Sequence, residues 1–108
     1  MLTDEYRYKI LKALQQDPGM SQRELSKQLG ISLGRANFCI KALIEKGLVK
    51  AENFKNSTNK VSYLYLLTPK GIEQKLFLTH RFLQLKIKER EALEKEIEAL
   101  KNECNFIE

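Results

Sequence analysis

The chain has little of what enzymes and secreted proteins are commonly built from. Of its 108 residues none is tryptophan, one is histidine, two are cysteine and two are proline. A lone histidine, His80, cannot form a metal cluster, and no Gly-rich phosphate loop, metal-ligand spacing or nucleophile motif accompanies it. The expectation is therefore no enzyme, no cofactor and no metal, with His80 as a helix-surface or contact residue. Cys39 and Cys104 lie far apart in sequence and make no disulfide framework, which fits a reducing compartment. With no base or cluster beside them in sequence, both read as small, semi-buried residues and not as redox switches. No apolar run approaches the roughly 20 residues of a membrane span. The opening MLTDEYRYK has no apolar core of an export signal, so a cytoplasmic location is expected.

What the chain does have is charge, and its placement is uneven. The net charge is +5. Residues 21–60 hold eight lysines and arginines against three acids, so this middle stretch carries the whole excess, while both flanks balance. A basic middle between neutral ends is an electrostatic footprint for a polyanion.

That middle opens with MSQRELSKQLGISLGRANFCIKALIEKGL, residues 20–48. Ser21 followed three residues later by Glu24 is a capping box, with Met20 and Leu25 as its hydrophobic staple. Leu25 and Leu29 share one helix face. Gly30 supplies a turn of positive φ, and Ser32 is a second N-cap. The second helix, about 32–46, is expected to bury Leu33, Ala36, Ile40, Leu43 and Ile44 and to end at Gly47. Its other face carries Gly34, Arg35, Asn37, Phe38 and Lys41. An acid at the third helical position would repel a phosphate, and this helix has Arg35 there. The pattern is that of a helix-turn-helix whose second helix reads a groove. Arg35 and Lys41 suit phosphates or guanine edges. Asn37 suits adenine, and Phe38 a thymine methyl or a place beneath the following hairpin.

Before this pair, Asp4 to Gln16 reads as an amphipathic helix with Tyr6, Ile10, Ala13 and Leu14 on its apolar side, stopped by Asp17-Pro18-Gly19. After Gly47 the period changes. Residues 48–54 and 61–67 read as strands joined by the polar Lys55-Asn56-Ser57-Thr58-Asn59-Lys60. This hairpin is a wing, spanning about 54–61. Lys55 and Lys60 are expected to meet phosphate or the minor groove, with Asn56 and Asn59 as hydrogen-bonding partners there.

Thr68-Pro69 is an N-cap and first helical position, and no proline or glycine follows Gly71. A helix of ~35 residues spans ~50 Å at 1.5 Å per residue, too long for a domain of this size to cover. Leu93, Ile97, Leu100, Cys104 and Ile107 repeat at heptad spacing, and the same frame runs back through Leu83, Leu76 and Ile72. Dimerisation through Ile72, Leu76, Leu83, Leu93, Ile97, Leu100 and Cys104 is expected, as a coiled coil towards the end. The fold class is thus mainly α with a small β-hairpin. Residues 1–68 form a winged helix-turn-helix and 69–108 a long C-terminal dimerisation helix. The alternative partner, for the same architecture, is a protein or an RNA in place of duplex DNA.

RELSKQLGIS, then IKALIEKGLVK, a hairpin, and LTPKG at Leu67–Gly71 together resemble the winged-helix core of the multiple-antibiotic-resistance regulator (MarR) family over about residues 5–75. The string ENFKNSTNK with YLYLLTPKGI is similar to a small exopolysaccharide-associated subgroup. The resemblance implies a homodimeric bacterial transcription regulator on a pseudo-palindromic duplex. It implies a reading helix in the major groove, with Ser32, Gly34, Arg35, Asn37, Phe38 and Lys41, and a wing in the adjacent minor groove. The chain departs from the family in having no extra N-terminal helix, one long final helix in place of a pair, and asparagine and lysine in place of the acidic-and-arginine wing signature. Family members often sense small phenolic ligands or oxidants in a cleft, and no effector is assigned to this shortened chain.

Overall fold

The computed structural model describes residues 2–55 and 61–107, and the side chains of 2–53 and 63–105. In chain order the elements are α1 (Asp4–Gln16), α2 (Gln22–Leu29), α3 (Leu33–Glu45), β1 (Val49–Lys55), β2 (Val61–Leu67) and α4 (Pro69–Ile107). Contacts divide the chain into two units, residues 1–78 and residues 79–108.

The helix ends of the first unit are set by local hydrogen bonding. Thr3, Ser21 and Ser32 are extended N-caps whose hydroxyls accept from the amides of Tyr6, Glu24 and Arg35 at 3.3, 3.1 and 3.1 Å. Each satisfies a first-turn amide that has no carbonyl partner. Gly30 and Gly47 close α2 and α3 at φ +69° and +74°. Around Gly47 the Leu48 amide donates to the Leu43 carbonyl and the Gly47 amide to Ile44, both at 3.0 Å. This paired closure needs the left-handed residue that glycine supplies without steric cost.

The core of the first unit joins Ile10, Leu11 and Leu14 of α1 to Leu25 of α2, Ala36, Cys39, Ile40 and Leu43 of α3, and Leu48, Val49 and Tyr65 of the hairpin. The buried stripe of α3 differs from the expected one. It runs Ala36, Cys39, Ile40, Leu43, while Leu33 and Ile44 are 43% and 37% exposed. The reason is angular. Residues 36, 39, 40 and 43 lie within one narrow face, Ile44 falls a further 100° round from Leu43, and Leu33 is the first residue of the helix, at the edge of the core. Cys39 is thus fully packed, as a small apolar residue. Cys104 is exposed within the second unit, contrary to the semi-buried reading. Arg7 is folded back along α1. Its side chain is 18% exposed and meets Asp4 at 3.5 Å.

β1 and β2 pair antiparallel, from Val49 opposite Leu67 to Lys55 opposite Val61. A third segment joins the far edge: the Tyr65 amide donates to the Pro18 carbonyl at 2.9 Å, and Gln22 Nε2 donates to the Tyr65 hydroxyl at 3.2 Å. The turn after α1 is thereby tied to the hairpin.

The start of α4 is tied to the end of α3. Thr68 donates from its amide to the Leu48 carbonyl at 3.0 Å and from Oγ1 to the Gly47 carbonyl at 2.6 Å. The same Oγ1 accepts from the Gly71 amide at 3.0 Å, and Lys70 Nζ reaches the Lys46 carbonyl at 3.3 Å. Gly71 is required by this closeness. A Cβ there would run into the Leu48 carbonyl oxygen, with the Leu48 carbonyl carbon at 3.0 Å. Leu78, about two turns further on, is buried.

The second unit is helix throughout its described residues. Leu83, Leu93, Ile97 and Leu100 are all exposed along it, as are Ile72 and Leu76 on the part of α4 in the first unit. No helix among the described residues is long and apolar enough to cross a membrane.

Candidate nucleic-acid interface

The helix-turn-helix is formed by α2, the turn at Gly30, and α3. The turn closes with the Gly30 amide on the Lys27 carbonyl at 3.4 Å and the Ile31 amide on Ser26 at 3.0 Å. Leu25 and Ala36, both buried, hold the two helices to the core. The opposite side of α3 is left outward. Ser32, Gly34, Arg35, Phe38 and Lys41 are exposed and Asn37 is half-buried. Gly34, Phe38 and Lys41 fall on one line of the helix at i, i+4 and i+7.

Each of these side chains differs in what holds it. Ser32 is committed to capping, so its hydroxyl oxygen serves the Arg35 amide. Gly34 is neither at positive φ nor crowded: a Cβ there would meet nothing within 4 Å. Its lack of a side chain is therefore no requirement of the fold. Phe38 is 57% exposed, so it is not packed away beneath the hairpin. The ring leaves an apolar aromatic surface open to a partner on an otherwise polar face. Arg35 has its guanidinium over the Tyr6 ring of α1, 5.3 Å from the centroid. The sequence pattern puts Tyr6 on the apolar side of α1. It is half-buried and meets a charge from another helix. No pattern in the sequence links two residues so far apart.

Electrostatically, α3 has no acid in its first turn, so the positive end of its dipole is not offset there. Beyond α3, Lys50 is paired with Glu52 at 2.8 Å, and the hydrogen bond and charge of that carboxylate push the lysine pKa up. Its charge is thus spoken for within the hairpin. Lys55 is the last residue of β1, and its side chain lies outside the described residues, as do Asn56, Asn59 and Lys60. No group of histidine, cysteine and acidic residues able to hold a metal occurs among the described residues.

The family model for winged helix-turn-helix DNA-binding domains matches residues 3–50. That segment contains α1, α2, α3 and the start of the hairpin. The chain has the winged helix-turn-helix fold, and the DNA-binding model covers its residues 3–50. Its fold is that of bacterial transcription regulators of the PadR and MarR type, and the resemblance read from RELSKQLGIS and LTPKG holds at that level. A PadR-like transcriptional regulator from Bacillus cereus superposes with a TM-score of 0.74 at 20% identity, over 86% of this chain and 95% of that one. The adhesin competence repressor of Streptococcus pyogenes gives 0.65 at 23% identity, over 82% of this chain and 64% of that one. Staphylococcus aureus MarR, solved with salicylate and kanamycin, gives 0.59 at 26% identity, over 76% of this chain. The chain spans about half of that MarR chain, 53% of its length. The first of these proteins is a transcriptional regulator and the second a repressor. No curated protein sequence matches the chain significantly.

Proposed function

We propose that this chain is a sequence-specific transcription regulator that binds duplex DNA as a homodimer in the cytoplasm. Residues 1–68 are the reading domain and 69–108 the dimerisation helix. The observation that carries the proposal is the outward face of α3: Gly34, Arg35, Phe38 and Lys41 are exposed together on the second helix of a DNA-binding motif. On this reading the helix about 32–46 enters the major groove. Arg35 and Lys41 meet phosphates or guanine edges, Asn37 an adenine and Phe38 a thymine methyl, while Ser32 and Gly34 sit against the backbone. The wing, with Lys55, Asn56, Asn59 and Lys60, meets the adjacent minor groove.

Dimerisation is supported by the exposed seam. Ile72, Leu76, Leu83, Leu93, Ile97, Leu100 and Cys104 all face solvent in the single chain, and a lone α-helix in water does not keep so many large apolar residues uncovered at heptad spacing. Two copies fix the distance between half-sites and favour a pseudo-palindromic operator.

The test is selection of bound duplexes from a random pool, followed by gel shift of the enriched sequence. The expected outcome is a symmetric consensus bound by two chains, with affinity falling steeply as salt rises. Failure to enrich any duplex at low salt overturns the proposal. Charge reversal at Arg35 and Lys60 separates it from a protein-bridging role: DNA binding is lost, whereas an adaptor retains its partner.

A further inference from the structure

We infer that Tyr6, on the first helix, is a positioning residue of the DNA interface, whose ring fixes the Arg35 guanidinium for contact with the duplex. The inference rests on the DNA-binding reading above and names a residue outside the helix-turn-helix.

Three observations meet here. The Arg35 Cζ lies 5.3 Å from the Tyr6 ring centroid, inside the roughly 6 Å reach of a cation–π contact. The main chain beneath the arginine is already fixed, because its amide is held by Ser32 Oγ at 3.1 Å. Among the described residues no carboxylate pairs with Arg35, and the first turn of α3 contains no acid.

The choice of partner matters chemically. A carboxylate would hold the guanidinium by taking its N–H donors and cancelling its charge. An aromatic face holds it from above the plane. The five N–H groups lie in that plane and stay free for a phosphate or a guanine edge. The ring thus restricts a long, flexible side chain without consuming what DNA would use. Part of the ordering cost of binding is then met in the free protein. Tyr6 itself does not drift. It sits in the first turns of α1, its amide is bound by Thr3 Oγ1 at 3.3 Å, and the same helix is anchored in the core by Ile10 and Leu11.

The test is a double-mutant cycle on the full chain with the selected operator duplex, comparing wild type, Tyr6→Leu, Arg35→Ala and the double variant, with Tyr6→Phe as control. Affinity is read by fluorescence anisotropy over a salt series, and melting temperature is recorded for each protein. Tyr6→Leu is expected to weaken binding about two- to five-fold for each protomer engaged. Tyr6→Phe keeps the ring and binds within twofold of wild type. Tyr6→Leu leaves the salt slope unchanged, because the arginine charge is retained, while Arg35→Ala lowers it. In the Arg35→Ala background, Tyr6→Leu costs no further affinity. An additive cycle, or a Tyr6→Phe variant as impaired as Tyr6→Leu, overturns the inference and leaves Tyr6 as a packing residue. Wild type that binds no duplex overturns the DNA reading itself, and this inference with it.

Discussion

Gly34 gives the sharpest opposition between stability and binding in the molecule. It occupies the second position of α3, with ordinary helical backbone and open space where a Cβ would stand. Glycine within a helix costs about 0.5–1 kcal/mol relative to alanine. Since nothing in the fold opposes a methyl group, Gly34→Ala should stabilise the protein by about that amount. In a domain of this size such a gain raises the melting temperature by about 2–8 °C. The same methyl projects from the face proposed to lie against DNA. If the backbone there approaches a phosphate closely, one added methyl costs about 1 kcal/mol or more in overpacking, or about fivefold or more in affinity per protomer. Differential scanning calorimetry and anisotropy titration on one preparation give both numbers. A variant that melts higher and binds the operator as well as wild type refutes the idea that Gly34 is kept open for an external body. A variant that melts lower refutes the steric account of its surroundings.

Gly71→Ala should do the reverse, because its Cβ collides with the Leu48 carbonyl: the expected loss is about 1–3 kcal/mol, seen as a lower urea midpoint. Thr68→Val keeps shape but removes a hydroxyl that serves both Gly47 and Gly71; a loss of about 1–2 kcal/mol is expected, and an unchanged midpoint would show these bonds to be energetically idle. Replacing Leu93 and Ile97 by aspartate should convert a dimer to a monomer in sedimentation equilibrium while leaving the melting of the first unit in place.

Much of the fold could be read in advance where its causes are local. The bounds of α1 are set by Thr3 and by Asp17-Pro18, those of α2 and α3 by Ser21, Ser32, Gly30 and Gly47, and all act within one turn of themselves. The strand at 61–67 was legible from its β-branched and aromatic residues. What escaped was set by contacts between distant segments. The tie from Pro18 to Tyr65 follows from how the turn after α1 meets the hairpin, and no periodicity encodes it. Leu78 sits in a run with Leu76 and Phe77, and a run that is apolar all round does not say which member is buried. On the candidate interface the outward position of Gly34, Arg35, Phe38 and Lys41 followed from the helix period. That Arg35 is engaged by an aromatic ring on another helix did not, because cross-helix geometry is invisible to spacing along one helix.

The bond from the Thr68 amide to the Leu48 carbonyl continues the β1–β2 ladder one step below Val49 and Leu67. The hairpin is therefore clamped at its foot, between the last turn of one helix and the first turn of the next. Length added in matched pairs to the two strands would extend only the end remote from that clamp. An arm lengthened or shortened in this way would reach a different distance along a bound surface while the body that carries it stays the same.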